Sequence, residues 1–209
     1  MTDRARRELL SGLGGEVYTE TNGSYGLSTL LREHVRSERG VLVFDYIAKS
    51  GMHRVERIND PDLMHSVLAM RRRRDGDERL LGFRDGRTWR HLSSSDVNDY
   101  LKEVLRQDIS AKDFRTWHAT VLGAAALACT DEPGHTEASK KRAIRKAMVE
   151  VSDYLGNTPT IAKASYVDPR VVDLYRDGVT VGEVARLQFD TAEERQAALE
   201  EAVLDMLAN

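Results

Sequence analysis

The pattern of hydrophobic and polar positions changes period near residue 60. Before it, Gly40 opens the β-favouring run Val41-Leu42-Val43-Phe44-Asp45-Tyr46-Ile47, which reaches the turn signal Lys49-Ser50-Gly51. Residues 52–58 then alternate, with Val55 and Ile58 apolar among charged neighbours. Two such runs around a short polar turn predict an antiparallel hairpin, with His34-Val35 beginning a third strand. Lys49 falls at the loop tip or strand end of that hairpin. A short helix is expected over residues 3–11, ahead of the glycine-rich stretch Gly12-Leu13-Gly14-Gly15.

Beyond residue 60 the spacing is helical. Asp60-Pro61 supplies a cap and a proline at the first helical position, leading into Leu63, Met64, Val67 and Leu68. Residues 82–90, centred on Asp85-Gly86, read as a small hairpin or loop. Ser94-Ser95-Asp96 is expected to cap a helix carrying Val97, Tyr100, Leu101, Val104 and Leu105. Ser110 with Asp113 three residues later forms a capping-box signature for an apolar helix reaching about Ala128. A loop over residues 131–137 precedes a long helix to Leu155, which Gly156 ends. Asn157-Thr158-Pro159, Asp168-Pro169 and Thr191 with Glu194 open three more helices. The fold class is therefore mainly α (α+β): a helical body over 61–209, and a small antiparallel sheet within 1–60. No repeat or low-complexity linker divides the chain, so 1–209 reads as a single domain.

Composition fits a packed globule. The chain has 209 residues, 41% hydrophobic and 31% charged, too apolar for a disordered segment. A single cysteine, Cys129, excludes an internal disulfide framework and points to a reducing, cytoplasmic setting. No apolar run approaches the roughly 20 residues of a membrane span, so no membrane partner is expected. The formal charge of −3 argues, as an average, against nucleic acid.

The distribution of charge argues otherwise. Arginines fill 71–74, and Lys140, Lys141, Arg142, Arg145 and Lys146 form a second cluster. Arg4, Arg6 and Arg7 make a looser third group, while acids crowd the last 20 residues. Such runs are solvated helix faces or phosphate-binding patches, and charge alone does not choose.

Two segments carry the candidate chemistry. One is Ala111-Lys112-Asp113-Phe114-Arg115-Thr116-Trp117-His118-Ala119-Thr120; the other is Leu155-Gly156-Asn157-Thr158-Pro159, continuing through Lys163 to Tyr166-Val167-Asp168-Pro169. Taken singly, the residues have ordinary explanations. Tyr166 reads as an amphipathic tyrosine packed on a helix, and Asn157 as an N-cap. Arg115 has Asp113 or Asp153 as candidate ion-pair partners, and Lys49 suits a turn. His118, one turn from Arg115, reads as structural, and Trp89 and Trp117 as packing residues.

Together with the Lys49 hairpin and Gly26-Leu27-Ser28-Thr29-Leu30, in this order along residues 13–176, these segments resemble the catalytic domain of a bacterial (poxvirus-like) type IB DNA topoisomerase. The resemblance implies a fold shared with tyrosine recombinases and double-stranded DNA as partner. It implies transient cleavage of one strand through a 3′-phosphotyrosyl link, then religation, with neither ATP nor metal as cofactor. Tyr166 would be the nucleophile, Arg115 the grip on the scissile phosphate, and Lys49 the general acid toward the 5′-oxygen. Asn157 would donate to a phosphate oxygen, at a position where poxvirus enzymes carry histidine and bacterial relatives commonly asparagine. Lys112 would support the site, with Lys163, Arg142 and Lys141 as further DNA contacts, and nothing in the resemblance requires more than a monomer.

Two departures qualify the resemblance. Gly12 stands where the family carries a second phosphate-binding arginine, and losing such a contact costs about 10²- to 10³-fold in rate. The β-rich clamp domain that precedes the family's catalytic domain is expected to be absent, and weak relaxation or none is expected with it. A tyrosine recombinase and a catalytically weakened DNA-binding domain are the alternatives.

Overall fold

β-Branched and aromatic residues form strands where their runs placed them. The computed structural model describes residues 25–48, 51–130 and 136–208. Strands β1 (Val35–Glu38), β2 (Val41–Ala48) and β3 (Met52–Ile58) make an antiparallel sheet with β2 in the centre. The register sets Val35 opposite Phe44 and runs to Ala48 opposite Met52. Because neighbouring side chains point to opposite faces, Val35, Leu42, Phe44 and Ile58 share the core face. The other face carries an ionic ladder: Arg36 meets Asp45 at 2.9 Å and Glu38 at 2.6 Å, and His53 meets Asp45 at 2.6 Å. Those partners, His53 first and then Arg36, hold the Asp45 carboxyl below the usual range. Lys49 and Ser50, like the expected helix over 3–11, Gly12 and the arginines near it, lie outside the described residues.

Helix α1 (Pro61–Arg71) is capped by Asp60, whose Oδ1 accepts the Leu63 N–H at 2.9 Å. It adds Leu63 and Val67 to the core under the sheet, so α1 packs with the strands although its sequence period is helical. Strands β4 (Gly82–Asp85) and β5 (Thr88–His91) form the second hairpin. Helix α2 (Ser94–Leu105) begins one residue earlier than the sequence suggested: Ser93 is the cap, accepting Asp96 N–H at 3.1 Å, while Asp96 accepts Ser93 N–H at 2.8 Å.

The run of arginines is not one patch. Arg71, Arg72 and Arg74 are exposed, but the Arg73 side chain is 1% exposed. Its guanidinium donates to the Leu80 and Arg79 carbonyls at 3.1 and 2.9 Å, meets Asp75 at 2.9 Å, and lies 5.0 Å from the Trp89 ring. A buried charge needs such partners, and Arg73 is part of the fold.

The remaining helices are α3 (Ala111–Ala128), α4 (Glu137–Leu155), α5 (Pro159–Ser165), α6 (Pro169–Arg176), α7 (Gly182–Ala185) and α8 (Ala192–Ala208). The Ser110–Asp113 signature is realised ahead of α3: Asp113 accepts the Ser110 N–H at 2.8 Å. In α4, Ile144, Ala147, Met148, Val151 and Leu155 recur at helical spacing and are all buried. They share a core with Ala124, Val167, Val171, Tyr175, Leu199 and Val203. The two compact units are Met1–Asp113 and Phe114–Asn209. No helix among the described residues is long and apolar enough to cross a membrane.

Candidate active site

The C-terminal unit brings Arg115, Asn157 and Tyr166 into one neighbourhood, and the end of α4 is the reason. An α-helix leaves its last carbonyls without intrahelical donors. Here Gly156 turns into the left-handed region, φ 67°, where a side chain is disfavoured, and its N–H returns to Ser152 O. Asn157 N–H follows to the same carbonyl at 2.9 Å. The carbonyl of Leu155 is then met by Nη2 of Arg115, reaching across from α3. A cation at a helix C-terminus is favourable, and this one is fixed by it. From there the guanidinium carbon lies 5.3 Å from the centre of the Tyr166 ring. Asp113, one candidate ion-pair partner of Arg115, has its carboxylate engaged by Ser110 and held below the usual range by that hydroxyl and N–H.

Asn157 is not the helix cap. The cap of α5 is Thr158, whose Oγ1 accepts the Ile161 N–H at 3.3 Å, followed by Pro159 at the first position. The capping explanation of Asn157 therefore fails. Its amide nitrogen is buried and donates to no acceptor among the described residues. The Tyr175 hydroxyl in the core is likewise without a partner among the described residues, and a buried donor left so costs about 1–3 kcal/mol.

Tyr166 stands at the C-terminal end of α5, at φ −131° and ψ −33°, where the chain leaves the helix. Its ring is half-buried, packed partly on the core of the unit. The following residues are held tightly: Val167 is buried, and Asp168 caps α6 by accepting the Arg170 N–H at 2.9 Å. The Arg170 guanidinium holds the Asp168 carboxyl below the usual carboxylate range.

Two residues of α3 with no role in the sequence reading contact this turn. Thr120, 2% exposed, has its Oγ1 at 3.3 Å from the Tyr166 carbonyl and accepts the Asp168 N–H at 3.1 Å. Gly123 lies where Val167 packs: a Cβ there would meet Val167 Cγ1 at 3.3 Å. Glycine inside a helix costs about 1 kcal/mol relative to alanine, and that oddity was the available signal for a close approach. Thr120 lies within the Lys-Asp-Phe-Arg segment, but nothing local marks its partner 46 residues away.

The other expected residues are dispersed. Lys112 is exposed on the first turn of α3, within the N-terminal unit. Lys163 is exposed on α5, and Lys141 and Arg142 on α4; none of these three makes a side-chain hydrogen bond or ion pair among the described residues. His118 is buried, in keeping with a structural place. Lys49 and Gly12 fall outside the described residues.

Residues 9–180 match the family described as eukaryotic DNA topoisomerase I, catalytic core. A DNA topoisomerase 1B of Acanthamoeba polyphaga mimivirus is 30% identical over 173 residues, covering 79% of this chain and 51% of the viral protein. The chain thus spans about half the length of the curated relative it matches.

Proposed function

Since the chain belongs to the DNA topoisomerase I catalytic-core family, we propose that it is a type IB enzyme that opens and reseals one strand of double-stranded DNA through Tyr166. The observation that carries this reading is the trio at the end of α4. Arg115 is anchored on the Leu155 carbonyl beside the Tyr166 ring, and Asn157, two residues beyond Leu155, keeps a buried donor.

The chemistry follows from these groups. Tyr166 Oη attacks the phosphorus, its proton passes to solvent, and the bond from phosphorus to the 5′-oxygen breaks. The products are a 3′-phosphotyrosyl ester and a 5′-hydroxyl. A phenol with an ordinary pKa near 10 is a weak nucleophile at neutral pH, so the barrier must fall through stabilised charge. The Arg115 fork grips two non-bridging oxygens, and Asn157 Nδ2 donates to a phosphate oxygen. Lys49 gives the departing 5′-oxygen its proton. After the cut strand swivels, the 5′-hydroxyl attacks the ester and Tyr166 leaves. One phosphoester replaces another at each step, so the cycle needs no ATP. Lys112, Lys163, Lys141 and Arg142 add phosphate contacts, whose number sets the salt dependence of binding. Gly12, in place of a second arginine, slows the cleavage step, and the chain acts as a monomer.

A double-stranded substrate with a nick just 3′ of the cleavage site, which loses its short 5′-hydroxyl strand on cutting, tests the reading. The wild-type chain should form a covalent adduct that survives denaturation, and Tyr166→Phe none. DNA binding without any wild-type adduct would make this a binding module. An adduct confined to one defined DNA site and dependent on paired protomers would make it a recombinase.

A further inference from the structure

We propose that Thr120 is a positioning residue for Tyr166, holding the nucleophile's backbone in register with Arg115. The inference rests on the reading of Tyr166 as nucleophile and assigns a role to a residue outside the reacting set.

Tyr166 stands where a seven-residue helix ends. A helix that short does not hold its own last turn, because its stability comes from what it packs against. At φ −131° the chain leaves helical geometry, so the Tyr166 carbonyl and the Asp168 N–H need partners outside the helix. One buried hydroxyl meets both. Thr120 Oγ1 accepts the Asp168 N–H at 3.1 Å, and its single proton is shared between the carbonyls of Tyr166, at 3.3 Å, and Thr116, at 2.9 Å. Thr120 stands five residues after Arg115 on the same helix. The grip on the phosphate and the grip on the nucleophile's backbone are therefore two points of one rigid rod. Gly123, one turn further, lets Val167 lie against that rod and adds a third point.

The residue type fits the task. Valine has the shape of threonine and would fill a buried helix position without the cost of desolvating a hydroxyl. A threonine there is favourable only if its oxygen is used: it accepts from Asp168, and its proton serves Tyr166 together with the Thr116 carbonyl of its own helix. In-line attack needs the reacting atoms within a few tenths of an ångström of their place, and a misplacement of about 1 Å costs about 10²-fold.

The test compares Thr120→Val, which keeps the shape and removes the hydroxyl, with Thr120→Ser, which keeps the hydroxyl and removes the methyl. Thr120→Ala serves as a second hydroxyl-free variant should T120V melt below the assay temperature. Single-turnover cleavage of the nicked substrate is measured below the melting midpoint of every variant, together with non-covalent DNA affinity. T120V should cleave about 10- to 100-fold more slowly at an affinity within about twofold of wild type. T120S should stay within about threefold of the wild-type rate. A packing role gives the reverse order, T120S slower than T120V, and overturns the proposal; so does T120V cutting at the wild-type rate. Absence of adduct in the wild-type arm is a different failure, that of the Tyr166 reading itself, and takes this proposal with it.

Discussion

Arg73 in the N-terminal unit and Arg115 in the C-terminal unit both reach main-chain carbonyls, yet they end in different surroundings. Arg73 is enclosed, its guanidinium distributed over two carbonyls, the Asp75 carboxylate and the face of Trp89. Arg115 is half-buried, anchored on the last carbonyl of α4 and turned to a tyrosine that is itself half-buried. An arginine closed in on every side builds a fold. One that is half-buried at a helix end beside a phenol suits the proposed grip on a phosphate. The run of four arginines drew attention in the sequence, but its innermost member serves the structure, and the lone Arg115 serves the proposed chemistry.

The largest expected effect breaks the first half of this contrast. Arg73→Ala strips the Leu80 and Arg79 carbonyls of their donor, empties a buried position and leaves Asp75 with Arg32 alone, and should destabilise the N-terminal unit by about 3–5 kcal/mol. Arg74→Ala, at an exposed neighbour, should stay within about 0.5 kcal/mol. Chemical denaturation of both variants checks this, and equal midpoints would show that Arg73 is not structural.

Arg115→Ala should do the opposite, slowing single-turnover cleavage by about 10²- to 10³-fold. Its stability cost should be about 1–2 kcal/mol, for the Leu155 carbonyl that loses its donor and the Tyr166 ring that loses its contact. Unfolding of R115A at a cost like that of R73A would erase the contrast.

Asn157→Ala sharpens it within the site. Cleavage should fall about 10²-fold, while thermal stability holds or rises by about 1 kcal/mol, since a buried amide without an acceptor is removed. Thr158→Ala, at the true cap, should lose about 1 kcal/mol. A stability loss in N157A equal to that in T158A would restore the capping explanation.

The smallest effect is on pH. The Asp168 carboxyl is depressed by Arg170, so its stabilising contribution is complete above the ordinary aspartate value of about 3.9. It is lost as pH falls through the lower folded value. Arg170 is 61% exposed, so solvent screens the pair and keeps its contribution small. Asp168→Asn keeps a capping oxygen and should flatten the acid side of the melting profile below about pH 4, leaving neutral pH nearly unchanged. An unaltered acid profile would deny the pair any role.

What was legible in the sequence was local. Asp60, Asp113 and Thr191 placed helix starts because a cap and its target lie within one turn, and the β2–β3 hairpin followed from two runs and a turn. The end of α4 was equally plain, since Gly156 supplies the left-handed residue its termination requires. The motif located Arg115, Asn157 and Tyr166 but left each with an ordinary alternative, on which only tertiary contacts bear. Ring packing is real for Tyr166, whereas capping is excluded for Asn157 because Thr158 does it. Arg73, Thr120 and Gly123 were not legible, because what they touch lies on other elements and no local pattern names the partner. The short helix α7 lacks a side-chain cap, which is why no signal announced it.

Mapping the trapped adduct identifies the nucleophile. Cleavage with trypsin after Lys163 and Arg170 isolates Ala164-Ser165-Tyr166-Val167-Asp168-Pro169-Arg170, which contains no other tyrosine. The DNA 3′-phosphate should be found on this peptide, in wild type and in slowly reacting N157A alike. Attachment to a peptide bearing Tyr154 or Tyr175, or to no tyrosine at all, would contradict the role of Tyr166 as nucleophile.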